Sequence, residues 1–393
     1  MVARQAEVPG APPLAGSAVT PLPGSGAPPL AGTGDQVLAL PIAGADRVEA
    51  LFAQARRRTL ALGLLGLVAL LLALVAGVGL GEVVIPPADT VAILARQLGW
   101  PVHATWPSTD ATIVLQLRLP RVLAAMAVGA SLALAGTAFQ GLLRNPLADP
   151  YVLGTASGAA LGAALGVVIP VRGIVLGFGL LQGLAFVGAL GAVVVVYRLS
   201  RVGQLASMTG VLLTGYAVSS LLAAGLAVTM WLSGDGLRQI FFFLLGGFDG
   251  AAWPQLAAAL PALLLGGAVL LSRGRALNAL LLGEETAAHL GLDLRRERIL
   301  LLGAASLVTA ASVAIAGLIG FVGLVVPHVV RLVVGPNARA VLPLSAIWGA
   351  AFLVACDLLA RIPGDVPVGV VTALLGAPFF LWILRRARGG YEL

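Results

Sequence analysis

Residues that carry catalytic chemistry are scarce in this chain. All 24 basic residues are arginine, so the lysine of a phosphate-binding loop and the lysine of a Schiff base are both absent. The single cysteine, Cys356, excludes a disulfide framework, and no metalloprotease or serine-hydrolase motif occurs. His103, His289 and His328 lack the spacing of metal ligands. The sequence therefore predicts no enzyme activity, no metal site and no cofactor on this chain.

Two arginines at the start of an apolar segment are candidate binding residues. Arg118 and Arg121 are three residues apart, where the loop 81–120 meets the apolar run that follows it. Such side chains often extend toward lipid headgroups, and they can equally form a cationic docking patch for an acidic partner. Further along, Asp357 and Arg361 are four residues apart, a spacing that allows an ion pair on one helix face.

A second polar segment, QGLLRNPLADPYVLG (140–154), contains two turn-forming pairs. Asn145–Pro146 and Asp149–Pro150 predict a sharp bend beside the bilayer. The segment is either an ordinary connection or a constriction. In a constriction, Asn145 would close a pore by hydrogen bonding and Leu147 by excluding water.

The third polar segment, 273–298, is too short and polar to cross a membrane. Its middle part, 283–292, predicts a short helix with apolar positions on one face, and Arg295, Arg296 and Arg298 precede the next apolar run. This helix is either a solvated connector or a docking element for a cytoplasmic subunit.

The elements that position these residues follow from composition. Hydrophobic residues make up 59% of the chain and charged residues only 10%, against about 25% charged in soluble domains. This excludes a soluble globular protein and predicts an all-α, polytopic membrane protein. Ten apolar runs are candidate spans: 59–80, 121–142, 152–170, 174–197, 208–231, 255–272, 299–317, 320–334, 341–360 and 368–385.

The distribution of arginine predicts the orientation. Alternating the ten spans from a cytoplasmic N-terminus places 18 arginines inside and 6 outside, as the positive-inside rule requires. Both termini are then cytoplasmic. The arginines lie scattered at span ends, a pattern that disfavours nucleic-acid binding.

The first 55 residues differ from the rest. They are rich in proline, glycine and alanine, and they predict a disordered cytoplasmic tail with a short helix near 46–58. The transmembrane domain then covers residues 56–393. Acidic residues are almost absent from its spans, which disfavours an ion-driven carrier and favours a separate ATP-hydrolysing subunit as the energy source. An ion-driven secondary transporter remains the alternative from a different class.

Six segments, taken in order, resemble the FecCD-type permeases of ABC importers for iron–siderophores, haem and cobalamin. They are RLPRVLAAMAVGASLALAG, QGLLRNPLADPYVLGTASGA, LLLGEETAAHLGL, GLIGFVGLVVPHVVRL, LPLSAIWGAAFLVACDLLAR and PVGVVTALLGAPFFLWIL. The resemblance covers residues 59–388 and leaves out the tail.

This resemblance implies a homodimer of ten-span subunits in the cytoplasmic (inner) membrane. It also implies two cytoplasmic ATPases, which carry the ATP and Mg²⁺, and a periplasmic or surface-tethered binding protein. The implied positions are a docking set, a cytoplasmic gate and an ATPase-coupling helix: Arg118, Arg121 and Arg361 for docking; Asn145, Leu147, Met208 and Thr209 for the gate; Gly283, Glu284, Ala287, Leu290 and Gly291 for the coupling helix.

One departure from the family falls near Arg361. Asp365 precedes PVG where family members usually carry glutamate, and the stretch from Arg361 to Pro367 is a few residues short. The resemblance makes an iron–siderophore or haem the expected cargo, with cobalamin as the alternative.

Overall fold

The chain is almost entirely helical. The structure is a computed structural model that describes residues 45–81, 83–171, 173–200, 208–362 and 364–387. Within these ranges the only strands are β1 (Ile174–Val175) and β2 (Phe178–Gly179), which form a small antiparallel hairpin. The all-α prediction is therefore confirmed.

Fifteen α-helices occur in the described residues, and they follow the chain in this order: α1 Ala45–Gly79, α2 Pro87–Gln97, α3 Ser108–Thr112, α4 Leu119–Leu142, α5 Thr155–Val168, α6 Leu180–Leu199, α7 Met208–Leu232, α8 Leu237–Leu245, α9 Trp253–Ser272, α10 Gly274–Leu281, α11 Glu284–His289, α12 Leu294–Ala316, α13 Val322–Val334, α14 Ala338–Arg361 and α15 Val368–Ala387. A π-helical turn, Ile113–Arg118, joins α3 to α4, and a 3₁₀ turn, Gly234–Gly236, precedes α8.

Ten of these helices coincide with the ten predicted spans. Seven helical stretches of the described chain are long and apolar enough to cross a bilayer, and α5, α13 and α15 are shorter apolar helices.

Several predicted boundaries were wrong. The second span starts at Ser108, thirteen residues before the predicted start, because α3, the π turn and α4 form one continuous 35-residue helix. A stretch of that length is about 52 Å long at 1.5 Å per residue, so its first turns extend beyond the hydrocarbon core. The fourth span starts at Leu180, after the hairpin. The first helix begins at Ala45 and covers the short helix predicted near 46–58, while residues 1–44 lie outside the described part.

Glycines let the central helix α4 pack closely on its neighbours. A Cβ at Gly129 would overlap the carbonyl of Gly349 on α14, and a Cβ at Gly136 would overlap the carbonyl of Gly323 on α13. The same arrangement joins Gly158 on α5 to Gly188 on α6. Lipid supplies no hydrophobic force between helices, so such close backbone contacts are a main source of their association.

A proline in α13 creates a specific polar contact in this core. Pro327 has no N–H, so the carbonyl of Gly323, four residues earlier, lacks its helical donor. Gln140 of α4, which is buried, donates from Nε2 to Gly323 O at 3.1 Å and to Leu324 O at 3.3 Å. The contact satisfies the freed carbonyl and fixes the rotation of α13 against α4.

We expect Gly136→Ala to destabilise the protein by about 1–3 kcal/mol, the usual cost of overpacking a closely packed core. The matched control is Gly191→Ala on α6, where an added Cβ meets nothing within 4 Å. Thermal unfolding of the two variants in the same detergent measures the difference. Equal midpoints would contradict the close α4–α13 contact.

Candidate docking cleft and loop elements

Arg118 caps the C-terminal end of α1. Its side chain is buried, and Nη1 donates to Val78 O at 3.1 Å and to Gly79 O at 2.8 Å, while Nη2 donates to Val83 O. The last carbonyls of a helix have no intrahelical donor, and α1 ends near the edge of the apolar region, where water is scarce. Arg118 supplies the missing donors. Arg118 thus has a structural role that its position in the sequence did not reveal.

Arg361 joins the same helix end to α14. Its Nη1 donates to Gly77 O at 2.7 Å, and its Nη2 pairs with Asp357, as the four-residue spacing predicted. The side chain is 9% exposed, and its Nε has no hydrogen-bond partner among the described residues. A buried N–H donor therefore lacks a partner at this point.

Arg121 pairs with three carboxylates on three separate parts of the chain. Its Nε lies 2.9 Å from Asp357, its Nη1 3.0 Å from Asp249 in the α8–α9 loop, and its Nη2 3.3 Å from Asp365 in the α14–α15 loop. Asp357 is fully buried, whereas the side chains of Asp249 and Asp365 are 58% and 45% exposed. Exposed pairs contribute little stability, so Arg121 has one firm partner and two that are readily exchanged.

These groups line a cleft of about 470 Å³. Arg118, Arg121 and Arg361, which are buried or half-buried, line it together with the exposed Asp249 and Asp365. Partial burial raises the pKa of Asp249, an effect that Arg121 opposes by favouring the charged carboxylate. A cleft in which guanidinium groups pair with exposed, exchangeable carboxylates is suited to bind a carboxylate from another molecule.

The π turn that ends at Arg118 is held in place by a contact from α9. Trp253 donates from Nε1 to the carbonyl of Leu115 at 3.0 Å. The π turn changes the helix path, and this contact supports it while Arg118 faces α1. The cleft is lined by the π turn, by Arg121 of α4, by Arg361 at the end of α14, and by the α1–α2, α8–α9 and α14–α15 loops.

The loop between α4 and α5 forms a tight turn. Leu147 N donates to Asn145 Oδ1 at 2.9 Å, and Tyr151 N donates to Asp149 Oδ1 at 2.8 Å. Tyr151 donates from its hydroxyl to Ile319 O at 3.0 Å, which attaches the loop to the α12–α13 linker. Burial raises the pKa of Asp149 to about 6. Asn145 is exposed and Leu147 half-buried; Met208 and Thr209 begin α7, and their side chains lie outside the described part.

The segment 273–298 contains two short helices, α10 and α11, where the sequence predicted one over 283–292. Gly283 and Gly291 flank α11 with φ values of 120° and 83°, which non-glycine residues rarely adopt. Glu284 pairs with Arg298 on α12, and Ala287 is fully buried. Leu290 is 64% exposed and faces away from the bundle. The five predicted positions thus form one small unit whose outer face is free for contact.

The model of the FecCD transport family matches residues 69–386. This chain belongs to the FecCD transport family. The cobalamin import system permease BtuC of Halobacterium salinarum is 45% identical over 300 residues, which cover 76% of this chain and 79% of the relative. The hemin transport system permease HmuU of Yersinia pestis is 42% identical over 286 residues, which cover 70% and 84% respectively.

A solved structure of a metal-chelate type ABC transporter in an inward-facing conformation has the same architecture. Its TM-score is 0.70 at 31% identity, and the match covers 82% of this chain and 98% of the other. The family is one of transport permeases, and the apolar helices make this protein a multi-pass membrane protein. Among the described residues no group of three histidine, cysteine or acidic side chains could hold a metal ion.

Three residues that shape the cleft and the loops of this permease, Asp249, Tyr151 and Trp253, were not predicted from the sequence. Asp249 lies 128 positions from Arg121 along the chain, and Tyr151 lies 168 positions from Ile319. No spacing rule connects residues so far apart. Trp253 gave a weaker signal, since an indole at a helix start often bonds a nearby carbonyl.

We expect Arg118→Gln to destabilise the permease by about 1–3 kcal/mol, because several buried carbonyls lose their donor. Arg96→Gln on α2 is the matched control, since the Arg96 side chain is exposed and has no hydrogen bond or ion pair among the described residues. Thermal unfolding in detergent compares them. If both variants unfold like the wild type, Arg118 is not a cap of α1.

Proposed function

We propose that this permease is the membrane-spanning subunit of an ABC importer for a tetrapyrrole metal chelate, with cobalamin as the first candidate cargo and haem as the second. The observation that carries the proposal is the 45% identity to a cobalamin permease, with 42% identity to a hemin permease beside it. An iron–siderophore, expected from the resemblance, now ranks third.

Import would be powered by two separate ATPase subunits that bind ATP and Mg²⁺. The chain has no lysine for a phosphate-binding loop. Within the described part of the spans, the two buried carboxylates, Asp357 and Glu297, pair with arginines. A carboxylate held this way is poorly suited to carry protons, which counts against the secondary-transporter alternative.

A loaded binding protein would dock at the cleft that contains Arg118, Arg121 and Arg361. In this proposal its carboxylates replace Asp249 and Asp365 on Arg121, while Arg361 adds positive charge beneath them. Arg118 contributes charge while its hydrogen bonds hold α1. The exchange of one carboxylate for another keeps the guanidinium satisfied, so docking needs no uncompensated buried charge.

We expect Arg121→Glu to weaken binding of the binding protein at least tenfold, because like charges then face each other. The Asp249→Asn, Asp365→Asn double variant should strengthen binding a few-fold, since it removes the competing carboxylates without disturbing Asp357. Affinities at low and high salt measure both effects. Arg96→Glu, an exposed arginine on α2, controls for net charge. Unchanged affinity in both test variants would contradict the docking assignment.

On the cytoplasmic side, α10 and α11 would form the contact with the ATPase, and Asn145, Leu147, Met208 and Thr209 would form the gate of a homodimeric pathway. The α11 unit is suited to this role because two left-handed glycines and the Glu284–Arg298 pair fix its position on α12. A rigid element transmits motion of the ATPase to the spans. Both termini lie on this side in the proposed orientation.

We expect Leu290→Ala to reduce co-purification of the ATPase, because it removes an exposed apolar side chain from the proposed contact. Leu332→Ala on α13, where the leucine is 66% exposed, is the matched control on another element. The ATPase-to-permease ratio after affinity purification measures the effect. Full retention in the Leu290 variant would exclude this residue from the interface.

Vesicle uptake tests the function directly. The permease, reconstituted with its ATPase and binding protein, is supplied with labelled cobalamin, haem or a ferric siderophore, with and without ATP. We expect ATP-dependent uptake of cobalamin. Uptake of haem or the siderophore alone would change the cargo, and uptake driven by an ion gradient without ATP would overturn the importer assignment.

A further inference from the structure

A crevice of about 370 Å³ opens between α6, α7 and α12. Its walls are apolar and include Val193 and Val194 of α6, Val211 of α7, and Ile299 and Leu302 of α12. Two of these side chains, Val194 and Ile299, are more than 40% exposed. All three helices are long apolar spans, so the crevice lies at the depth of the bilayer and opens toward lipid.

Arginines stand at the rim of this crevice. Arg198, at the C-terminal end of α6, is part of its lining. Arg295, the second residue of α12, lies four residues before Ile299 and seven before Leu302. Helical periodicity therefore places it on the same face, one turn beyond the apolar wall. Both side chains are exposed, and the long spans place them where headgroups lie.

Neither of these arginine side chains has a partner within the described part of the protein. Arg198 and Arg295 have no side-chain hydrogen bond or ion pair there, whereas Arg298 pairs with Glu284 and Arg273 pairs with Glu297. The rim therefore keeps its positive charge.

We propose that this crevice binds an anionic phospholipid, with an acyl chain between α6, α7 and α12 and the phosphate at Arg198 and Arg295. An apolar wall beneath unpaired cations fits a molecule that has both parts, and basic pockets between spans are known to hold such headgroups. A soluble anion would leave the apolar wall without a partner.

A second copy of the chain fits this place less well. Helical periodicity puts the exposed Leu213 and Tyr216 of α7 roughly opposite Val211, which is buried in the crevice. The free apolar face of α7 therefore points away from the crevice. The proposal depends neither on the cargo nor on the ATPase, so its failure would leave the importer assignment untouched.

Native mass spectrometry of the purified full chain, titrated with phosphatidylglycerol or phosphatidylcholine of the same acyl chains, tests the site. We expect preferential binding of phosphatidylglycerol, reduced on the order of tenfold in the Arg198→Gln, Arg295→Gln double variant. The control is Arg296→Gln, since Arg296 lies in the same helical turn about 100° away and its side chain has no partner among the described residues.

Gly303→Leu tests the acyl part separately. Gly303 lines the crevice, and an added Cβ meets nothing within 4 Å, so leucine fills the crevice without disturbing the helix. It should weaken phosphatidylglycerol binding while all charges remain.

Four results would overturn the proposal. An equal loss of binding in Arg296→Gln would indicate diffuse charge attraction, and full binding by Gly303→Leu would show that no acyl chain occupies the crevice. Displacement of the lipid by millimolar inorganic phosphate would indicate a site for a soluble anion, and a disulfide between copies of Val194→Cys would assign the crevice to a second subunit.

Discussion

The contact between Arg121 and Asp357 connects most of what is distinctive about this permease. Asp357 lies inside α14 with no exposed surface, and a carboxylate there is costly unless cations and hydrogen bonds surround it. Arg121 from α4 and Arg361 from α14 supply them. Because Arg361 also bonds the end of α1, one buried carboxylate orients three helices at the same end of the bundle.

The close approach of the helices makes this contact feasible. Gly129 and Gly349 bring the backbones of α4 and α14 together below the ion pair. Their separation sets where the side chains of Arg121 and Asp357 meet. Small residues in the spans and charged residues at their ends therefore act together. Packing determines how far apart the helices lie, and the ion pairs determine how each helix is rotated about its axis.

The two ends of the bundle differ in how firmly their charged groups are held. At the cleft, Arg121 shares its guanidinium between a buried partner and two exposed ones, so part of its binding capacity is exchangeable. At the other end, the turn after α4 is closed by its own side chains and attached by Tyr151. An exchangeable site fits recognition of a transient partner, and a fixed turn fits a part that moves with its helices.

Several properties could be obtained from the residue order alone. Apolar length predicted the ten helices, motif order indicated the family, and the four-residue spacing predicted the Asp357–Arg361 pair. All three can be read from the order of residues along the chain. The role of Arg118 as a cap, the three partners of Arg121 and the early start of the second span needed the folded structure. Each depends on contacts between residues 35 or more positions apart or on how a helix is supported by its neighbours. Sequence spacing carries no information about such contacts, since helix packing alone brings those residues together.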